Sequence, residues 1–239
     1  GNHALEDVVD ASQNTAIGYK AGRSITDSGG NILIGYETGE GITTGDNNVI
    51  IGNNPIQSNT TGNVGMGTNV FKEGIAHYMV GIGYQALGAG TLTTGADYTV
   101  AIGREALKAL TSGAENIVLG YQSAIALTTG GRNIVMGFYA LDAAGHGETS
   151  NIAIGHNAMT SAKENVAAGA GHDHALNNNI AIGTEALKGG DLGTSDAILL
   201  HEGNIAIGAY ALDATAAHPH LGTIAIGHQA LSACQNGAN

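Results

Sequence analysis

A five-residue pattern of polar and apolar positions recurs along the whole chain. Each copy has Asn, an apolar residue, a small or apolar residue, another apolar residue and Gly, as in residues 151–155, which read NIAIG. Side chains alternate along an extended segment, so Ile152 and Ile154 lie on one face and Ala153 on the other. Both faces are apolar, and the pattern therefore predicts a short β-strand that is covered on both sides.

Thirteen copies of this pattern, here called the strand motif, follow one another at spacings of 14 to 25 residues. A unit of that size cannot bury its own apolar face, so neighbouring units must stack. The repeat predicts an all-β chain that forms a parallel β-roll, or β-solenoid, of about thirteen coils. Ten copies begin with Asn, namely Asn14, Asn31, Asn48, Asn63, Asn116, Asn133, Asn151, Asn165, Asn179 and Asn204. Three copies begin with Met79, Thr99 and Thr223.

The recurring Asn has a predicted structural role. Stacking places the Asn of each coil beside the Asn of the coils above and below, where one side-chain amide can donate a hydrogen bond to the next. We expect these ten residues to form a structural ladder and not a catalytic site.

A second recurring segment follows the Gly of the motif and has the form x-x-Ala-apolar, as in residues 84–87 and 156–159. Only 14 residues separate Asn151 from Asn165 and Asn165 from Asn179, which leaves no room for a helix. We interpret the segment as a second short strand, with the repeated Gly at the corner between the two strands.

Residues beyond these 14 are expected to leave the coil as loops along one side. They include Thr-Thr-Gly segments such as 42–47 and 127–132, and the long segments 188–203 and 213–222. The predicted organisation is an N-terminal cap or linker at 1–12, a solenoid domain at 13–232 and a C-terminal tail at 233–239.

Composition fits thin stacked coils and narrows the function. The chain of 239 residues has 39 Gly, no Trp and two Phe, so small side chains must fill its interior. Its net charge of −12 argues against binding to nucleic acid, which requires a basic surface. The single Cys234 excludes an intrachain disulfide. No run of about 20 apolar residues is present, so we expect no membrane insertion.

Two short strands per coil enclose little apolar volume. One face of the strand motif can fill the coil while the other packs against another chain. A parallel homotrimer would give three identical apolar stripes a shared core.

The motif Asn-h-Ala-h-Gly-x-x-Ala-h, in which h is apolar, resembles the head repeats of trimeric autotransporter adhesins, the YadA-like heads. The segments NTAIGYKAG, NILIGYETG and IGYQALGAG are also similar to repeats of bacteriophage tail-fibre shafts. The resemblance covers about residues 13 to 232. It implies a trimeric, left-handed parallel β-roll that attaches to a glycan or protein of a host cell surface. A virion tail fibre is the leading interpretation, and an adhesin head on the bacterial surface is the alternative.

Two His-x-His pairs are candidate metal ligands: His172 with His174, and His218 with His220. In a trimer, one such pair on the threefold axis would supply six imidazole nitrogens, which suits a transition metal. Some phage fibre tips resemble this arrangement, since they hold iron along the threefold axis with His-x-His pairs. The alternative interpretation is that these are solvated loop histidines, and no other cofactor is expected.

The longest loops are the candidate receptor-binding segments. Segment 188–203 carries Asp191 and the apolar cluster Ile198, Leu199 and Leu200, and segment 213–222 carries His218. The apolar cluster could instead fold back over the coils.

Catalysis and sugar stacking are the remaining alternatives. A tailspike depolymerase needs two converging carboxylates, whereas Glu37, Glu105 and Glu185 recur as repeat residues, so no enzyme is predicted. Aromatic residues that follow the motif Gly, such as Tyr19 and Tyr36, are expected to cover neighbouring coils in preference to binding sugars.

Overall fold

The computed structural model describes residues 1–53, 59–71, 73–143, 147–160, 176–189, 201–213, 220–232 and 237–238. The chain divides into two compact units, Gly1–Glu115 and Asn116–Asn239. In the described residues of both units the regular structure is β-strand, apart from one 3₁₀ turn at Thr94–Ala96, so the all-β prediction is confirmed.

Unit 1 contains strands β1 (Thr15–Ile17), β2 (Ile32–Ile34), β3 (Val49–Ile51), β4 (Val64–Met66), β5 (Glu73–Gly74), β6 (Val80–Ile82), β7 (Thr91–Leu92) and β8 (Val100–Ile102). Unit 2 contains β9 (Ile117–Leu119), β10 (Ile134–Met136), β11 (Ile152–Ile154), β12 (Leu176–Asn177), β13 (Ile180–Ile182), β14 (His201–Glu202), β15 (Ile205–Ile207), β16 (His220–Leu221), β17 (Ile224–Ile226) and β18 (Gly237–Ala238).

The three-residue strands come from the strand motif and pair in parallel. In unit 1 the order is β1-β2-β3-β4-β6-β8, and in unit 2 it is β9-β10-β11-β13-β15-β17. Equivalent motif residues face one another, so Ile152 pairs with Ile180 and Ala153 with Ala181. This in-register stacking confirms the parallel β-solenoid.

Twelve of the thirteen predicted copies form these strands. The remaining copy, at 165–169, lies outside the described residues. Strand β11 pairs directly with β13, so the 14-residue coils expected on either side of Asn165 do not occur in the sheet. Among the motif Asn residues that the structure describes, the shortest step between neighbouring coils is 15 residues, from Asn48 to Asn63.

The two-residue strands form two smaller parallel sheets, one in each unit. In unit 1, β5 pairs with β7. In unit 2, β12, β14, β16 and β18 form a parallel four-stranded sheet. Strand β18 falls within the predicted C-terminal tail, and it pairs with His220 and Leu221.

The prediction of a second strand after the motif Gly is wrong. Residues 84–87 form turns, and Gln85 and Leu87 both have φ of +53°. Their amides explain this conformation, because Gln85 N–H donates to Thr68 O in one neighbouring coil and Leu87 N–H to Ala106 O in the other. Hydrogen bonds in both directions along the stack thus hold a backbone that L-residues rarely adopt.

The motif Gly does lie at a corner, as predicted. Gly18 and Gly35 have φ of +136° and +140°. A Cβ on Gly18 would lie 2.0 Å from Gly35 O, and one on Gly35 would lie 1.9 Å from Gly52 O. Only glycine satisfies both the backbone conformation and the close stacking of successive corners.

The core of each coil is narrow and lies under the centre of the strand motif. The central strand residue is buried together with the Ala and Leu of the following turn, as with Ala101, Ala106 and Leu107. One variation shows how tightly the space is filled. Phe71 replaces the usual Leu, and a Cβ on the neighbouring central Gly81 would lie 2.8 Å from the Phe71 ring.

The Thr-Thr-Gly segments do not leave the coil, which corrects the loop prediction for them. Ile42 and Leu127, which begin two of these segments, are fully buried. Thr26 N–H donates to Thr43 O of the next coil, so the segment forms part of the coil wall. The N-terminal residues predicted as a cap or linker also stack, since Leu5 N–H donates to Ala21 O.

Candidate functional site

The outer face of the strand motif is a continuous apolar surface within each unit. The central residue of each strand points into the coil, whereas the first and third residues point outward. Ile17, Ile224 and Ile226 are 57%, 59% and 66% exposed, while Ala225 between the last two is 1% exposed. The small residue therefore fills the coil and the larger ones face out of the chain.

This outer face, here called the apolar face, carries no charge. Each of the twelve strands has two outward positions. Every one of these positions holds Ile, Val, Leu or Met, except the first position of β1, which holds Thr15. A soluble monomer rarely exposes an apolar patch that is repeated in every coil of a domain. The apolar face is thus the strongest candidate for an interaction surface.

The motif Asn residues form a ladder beneath this face. Asn133 Nδ2 donates to Asn116 Oδ1 at 3.0 Å. Asn133 Oδ1 in turn accepts from the backbone N–H of Asn151 at 3.0 Å and from its Nδ2 at 3.1 Å. Each buried amide therefore has partners in the coils on both sides.

The same Asn also holds the end of its own coil. Its second Nδ2 hydrogen bond goes to the carbonyl of the third residue before the next motif, as from Asn48 to Thr60 O at 2.7 Å and from Asn151 to Leu176 O at 2.6 Å. The first pair is 12 residues apart and the second 25. The ladder therefore returns the chain to one register whatever the length of the intervening segment.

The predicted ladder residue Asn165 lies outside the described residues. The ladder passes directly from Asn151 to Asn179, whose Nδ2 donates to Asn151 Oδ1 at 3.2 Å. The remaining predicted Asn residues follow the pattern, and they are Asn14, Asn31, Asn48, Asn63, Asn116, Asn133 and Asn204. Where Met79 or Thr223 replaces Asn, the backbone N–H still donates to the preceding Asn.

A second side-chain ladder, which the sequence analysis missed, lies two residues before the motif. Asp46 Oδ1 accepts from Gly29 N–H at 2.7 Å, and His77 Nδ1 accepts from Thr61 N–H at 2.9 Å. Asp97 Oδ1 continues it by accepting from His77 N–H at 2.8 Å. The signal was the recurrence of short polar residues at this position.

Aromatic residues that follow the motif Gly stack along the coils. The Tyr19 and Tyr36 rings lie 5.3 Å apart at 22°. Phe138 lies between Tyr121, at 4.9 Å, and His156, at 5.6 Å. These rings cover neighbouring coils with their faces, so they leave mainly edges to solvent and offer no broad platform for a sugar ring.

Two tyrosines occupy the opposite end of the strand motif. Tyr78 and Tyr98 directly precede the motif, and their rings are parallel within 5° with centroids 5.4 Å apart. They are 53% and 60% exposed. One aromatic column therefore borders the apolar face at each end of its strands.

Charged groups in the turns that follow the strand motif form small networks. Lys20 lies 3.2 Å from Glu40, and its hydrogen bond to that carboxylate raises the pKa of Lys20 above its ordinary value. The carboxylate of Glu37 likewise raises the pKa of Tyr36 by accepting a hydrogen bond from it. Glu105 and Glu185 pair with Lys108 and Lys188, each at 2.9 Å, and so do not converge on one site.

Most candidate ligands and loop residues lie outside the described residues, namely His172, His174, His218, Asp191, Ile198, Leu199 and Leu200. His220 is described: it is fully buried in β16, and its carbonyl accepts from Asn204 Nδ2 at 2.7 Å. In the part of the chain that the structure describes, no three His, Cys, Asp or Glu side chains come together as a metal site.

Comparison with known proteins gives no relative: no protein-family model, curated protein or solved structure matches the chain. Within the described ranges there is also no helix of the length and hydropathy needed to cross a bilayer. The functional argument therefore depends on the surfaces of the solenoid itself.

Proposed function

We propose that this chain is a non-enzymatic segment of a trimeric fibre in a phage or phage-like attachment apparatus. Its role is to hold receptor-binding loops away from the particle and to present them to a cell surface. The observation that carries the proposal is the uncharged apolar face, which recurs in each of the twelve described motif strands and whose outward side chains a single chain leaves exposed or half-buried.

Burial of this face gives enough free energy to drive assembly. Covering the exposed part of each outward Ile, Val, Leu or Met contributes roughly 0.5–1 kcal/mol. Over all outward positions this amounts to on the order of 10–20 kcal/mol per chain, or about 30–60 kcal/mol for three chains. The two association steps that form a trimer cost roughly 4–15 kcal/mol each, which is less. Three parallel copies around one axis bury three identical faces in a shared core.

The ladder supports a mechanical role. Each buried Asn bonds to both neighbouring coils and to the end of its own coil, as Asn133 does with Asn116, Asn151 and Glu148. A stack that is continuous in hydrogen bonds resists extension and can accept segments of different length between coils. These are the properties of a spacer that carries variable loops.

Attachment would use the threefold repetition of the loops. In a trimer the segments 188–203 and 213–222 each occur three times, so weak contacts with a surface glycan or protein add up to firm binding. The resulting location is a virion tail fibre. The alternative is the head of a trimeric adhesin on the bacterial surface, where the same apolar face and loops would serve the attachment of the bacterium.

Immunogold electron microscopy tests this proposal. Antibodies against the purified chain are applied to cultures that carry its gene, before and after phage production is induced. Labelling of tail fibres on released particles is expected. Labelling of bacterial envelopes alone would refute the phage assignment in favour of the adhesin, and depolymerisation of surface polysaccharide by the purified chain would refute the non-enzymatic role.

A further inference from the structure

The apolar face cannot by itself align three copies. It has nearly the same Ile and Val side chains in every coil, so a copy displaced by one coil, about 4.8 Å, keeps almost the same apolar contacts. Given the proposed trimer, on which this inference rests, alignment must come from residues at the borders of the face.

Each border is defined by one position of the repeat. The leading flank is the residue directly before the strand motif, and the trailing flank is the residue directly after its Gly. The strand runs across the face from one flank to the other. In a cyclic assembly of parallel copies, the trailing flank of one copy therefore meets the leading flank of the next.

In unit 1 the flanks hold two charged residues of opposite sign. Arg104 lies on the trailing flank with its side chain 57% exposed; its Nε is 3.9 Å from Glu105 Oε2 of the same chain, and its guanidinium is 5.5 Å from the Tyr84 ring centroid. Glu115 lies on the leading flank, one coil beyond Tyr98. Glu115 N–H donates to Asp97 O, so its backbone stacks directly on the coil that carries Tyr98.

The two flanks are too distant to meet within one chain. Tyr98 and Arg104 lie at opposite ends of β8, roughly 15–20 Å apart along an extended backbone. Tyr98 has one ring face against Tyr78, while the next coil has Glu115 at the equivalent position. A cation placed there from another copy would lie over the second face of Tyr98 and beside the Glu115 carboxylate.

We propose that Arg104 of each copy docks on Tyr98 and Glu115 of the next copy, and that this contact sets the alignment of the trimer. The partner is thus a second copy of this chain in parallel orientation. The trailing flank supplies the cation, and the leading flank supplies an aromatic face and a carboxylate. Repeated three times around the axis, the contact favours the aligned assembly over one displaced by several coils.

Disulfide trapping tests the geometry. In a Cys234→Ser chain, Arg104→Cys is combined with Glu115→Cys, and oxidation is followed on non-reducing gels. The two positions cannot bond within one chain, so the expected product is a covalently closed trimer. The control combines Thr68→Cys, on the trailing flank of an earlier coil, with Glu115→Cys, and it should give at least tenfold less closed trimer.

Charge exchange tests the residues. Arg104→Glu and Glu115→Arg should each weaken the trimer, so that the protein concentration at which half of it has dissociated rises at least tenfold. The double exchange should return that concentration to within about threefold of the original. Arg23→Gln is the control, because Arg23 lies on neither flank and pairs with Glu6 and Glu40 at 3.0 and 3.7 Å.

The outcomes separate this inference from the proposed function. A monomeric mass in light scattering would overturn the trimer and this contact together. A trimeric mass without closed trimers from the 104/115 pair, or with equal trapping by the 68/115 pair, would overturn the flank contact alone. If the double exchange failed to restore the trimer, Arg104 and Glu115 would not be the residues that align it.

Discussion

Replacing Asn133 by Asp perturbs the ladder at a single atom. The side chain is fully buried, and its Nδ2 donates to Asn116 Oδ1 at 3.0 Å and to Glu148 O at 2.7 Å. In Asn133→Asp the second carboxyl oxygen faces these two acceptors. The hydrogen bonds from Asn151 to Oδ1 remain possible, so the change isolates the donor half of the amide.

The expected loss follows from these contacts. Asn116 Oδ1 and Glu148 O each lose one hydrogen bond, at about 0.5–1.5 kcal/mol each, although Asn116 Oδ1 still accepts from the backbone N–H of residue 133. A buried carboxylate that faces these two oxygens adds about 1–3 kcal/mol unless it is protonated. We expect a local destabilisation of about 2–5 kcal/mol. At 1.4 kcal/mol per factor of ten, amide exchange in the coils around residue 133 should accelerate about 30-fold to 3,000-fold.

Hydrogen exchange detected by mass spectrometry measures this effect by region. Peptides from 116–155 should lose protection in Asn133→Asp, whereas peptides from 15–50 should keep it. The matched control is Asn53→Asp, because Asn53 is exposed. Unchanged protection of 116–155 in a folded Asn133→Asp chain would refute the role assigned to the ladder.

The stability of the same variant should depend on pH, and the direction of this dependence follows from the site. Burial and two facing acceptors disfavour the carboxylate at position 133, so its pKa in the folded chain must lie above the ordinary value of about 3.9. Protonation restores one donor. The loss of stability in Asn133→Asp, relative to the unaltered chain, should therefore shrink as the pH falls through the raised pKa, and it should be smallest below a pH of about 4.

Two further predictions concern packing and charge. Gly81→Ala places a methyl group 2.6 Å from Val70 Cγ1 and 2.8 Å from the Phe71 ring, and it should lower the free energy of unfolding in urea by about 1–3 kcal/mol. Adding Phe71→Leu should recover part of this loss, because the smaller side chain makes room for the methyl group. If the losses of the two substitutions were strictly additive, the packing account would be contradicted. Glu40→Gln should return the Lys20 pKa toward 10.5, as measured by NMR titration, since the hydrogen bond to Glu40 is the main cause of its increase; an unchanged Lys20 pKa would contradict that assignment.

The strand motif was predictable because its physics is local. Alternating apolar residues such as Ile152, Ala153 and Ile154 define a strand, and repetition with Asn at a fixed position defines the stack. Which face fills the coil was not predictable from alternation. The narrow interior decides which face points into the coil, because only a small residue or one branched aliphatic residue fits beneath each strand.

The turn after the motif was mispredicted because its backbone opposes intrinsic preference. Leu87 adopts a positive φ only because hydrogen bonds and burial in the stack outweigh the local cost. Ala86 and Leu87 are consecutive and both fully buried in the structure. Two consecutive apolar residues also fit a strand that is covered on both faces, as in the strand motif, so the sequence pattern did not distinguish the turn from a strand.

The copy at 165–169 differs from the other twelve in composition. It reads NVAAG and has Ala168 at the second outward position, where all twelve motif strands have Ile, Leu or Met. This copy lies outside the described residues.

Multi-angle light scattering of the purified chain tests the central claim most directly, since the apolar face has a function only if other copies cover it. The account predicts a mass three times that of the 23.9 kDa chain at micromolar concentration. Introducing Glu at the outward positions Ile134 and Met136 should reduce that mass to one chain. A mass of 23.9 kDa for the unaltered chain would contradict the account.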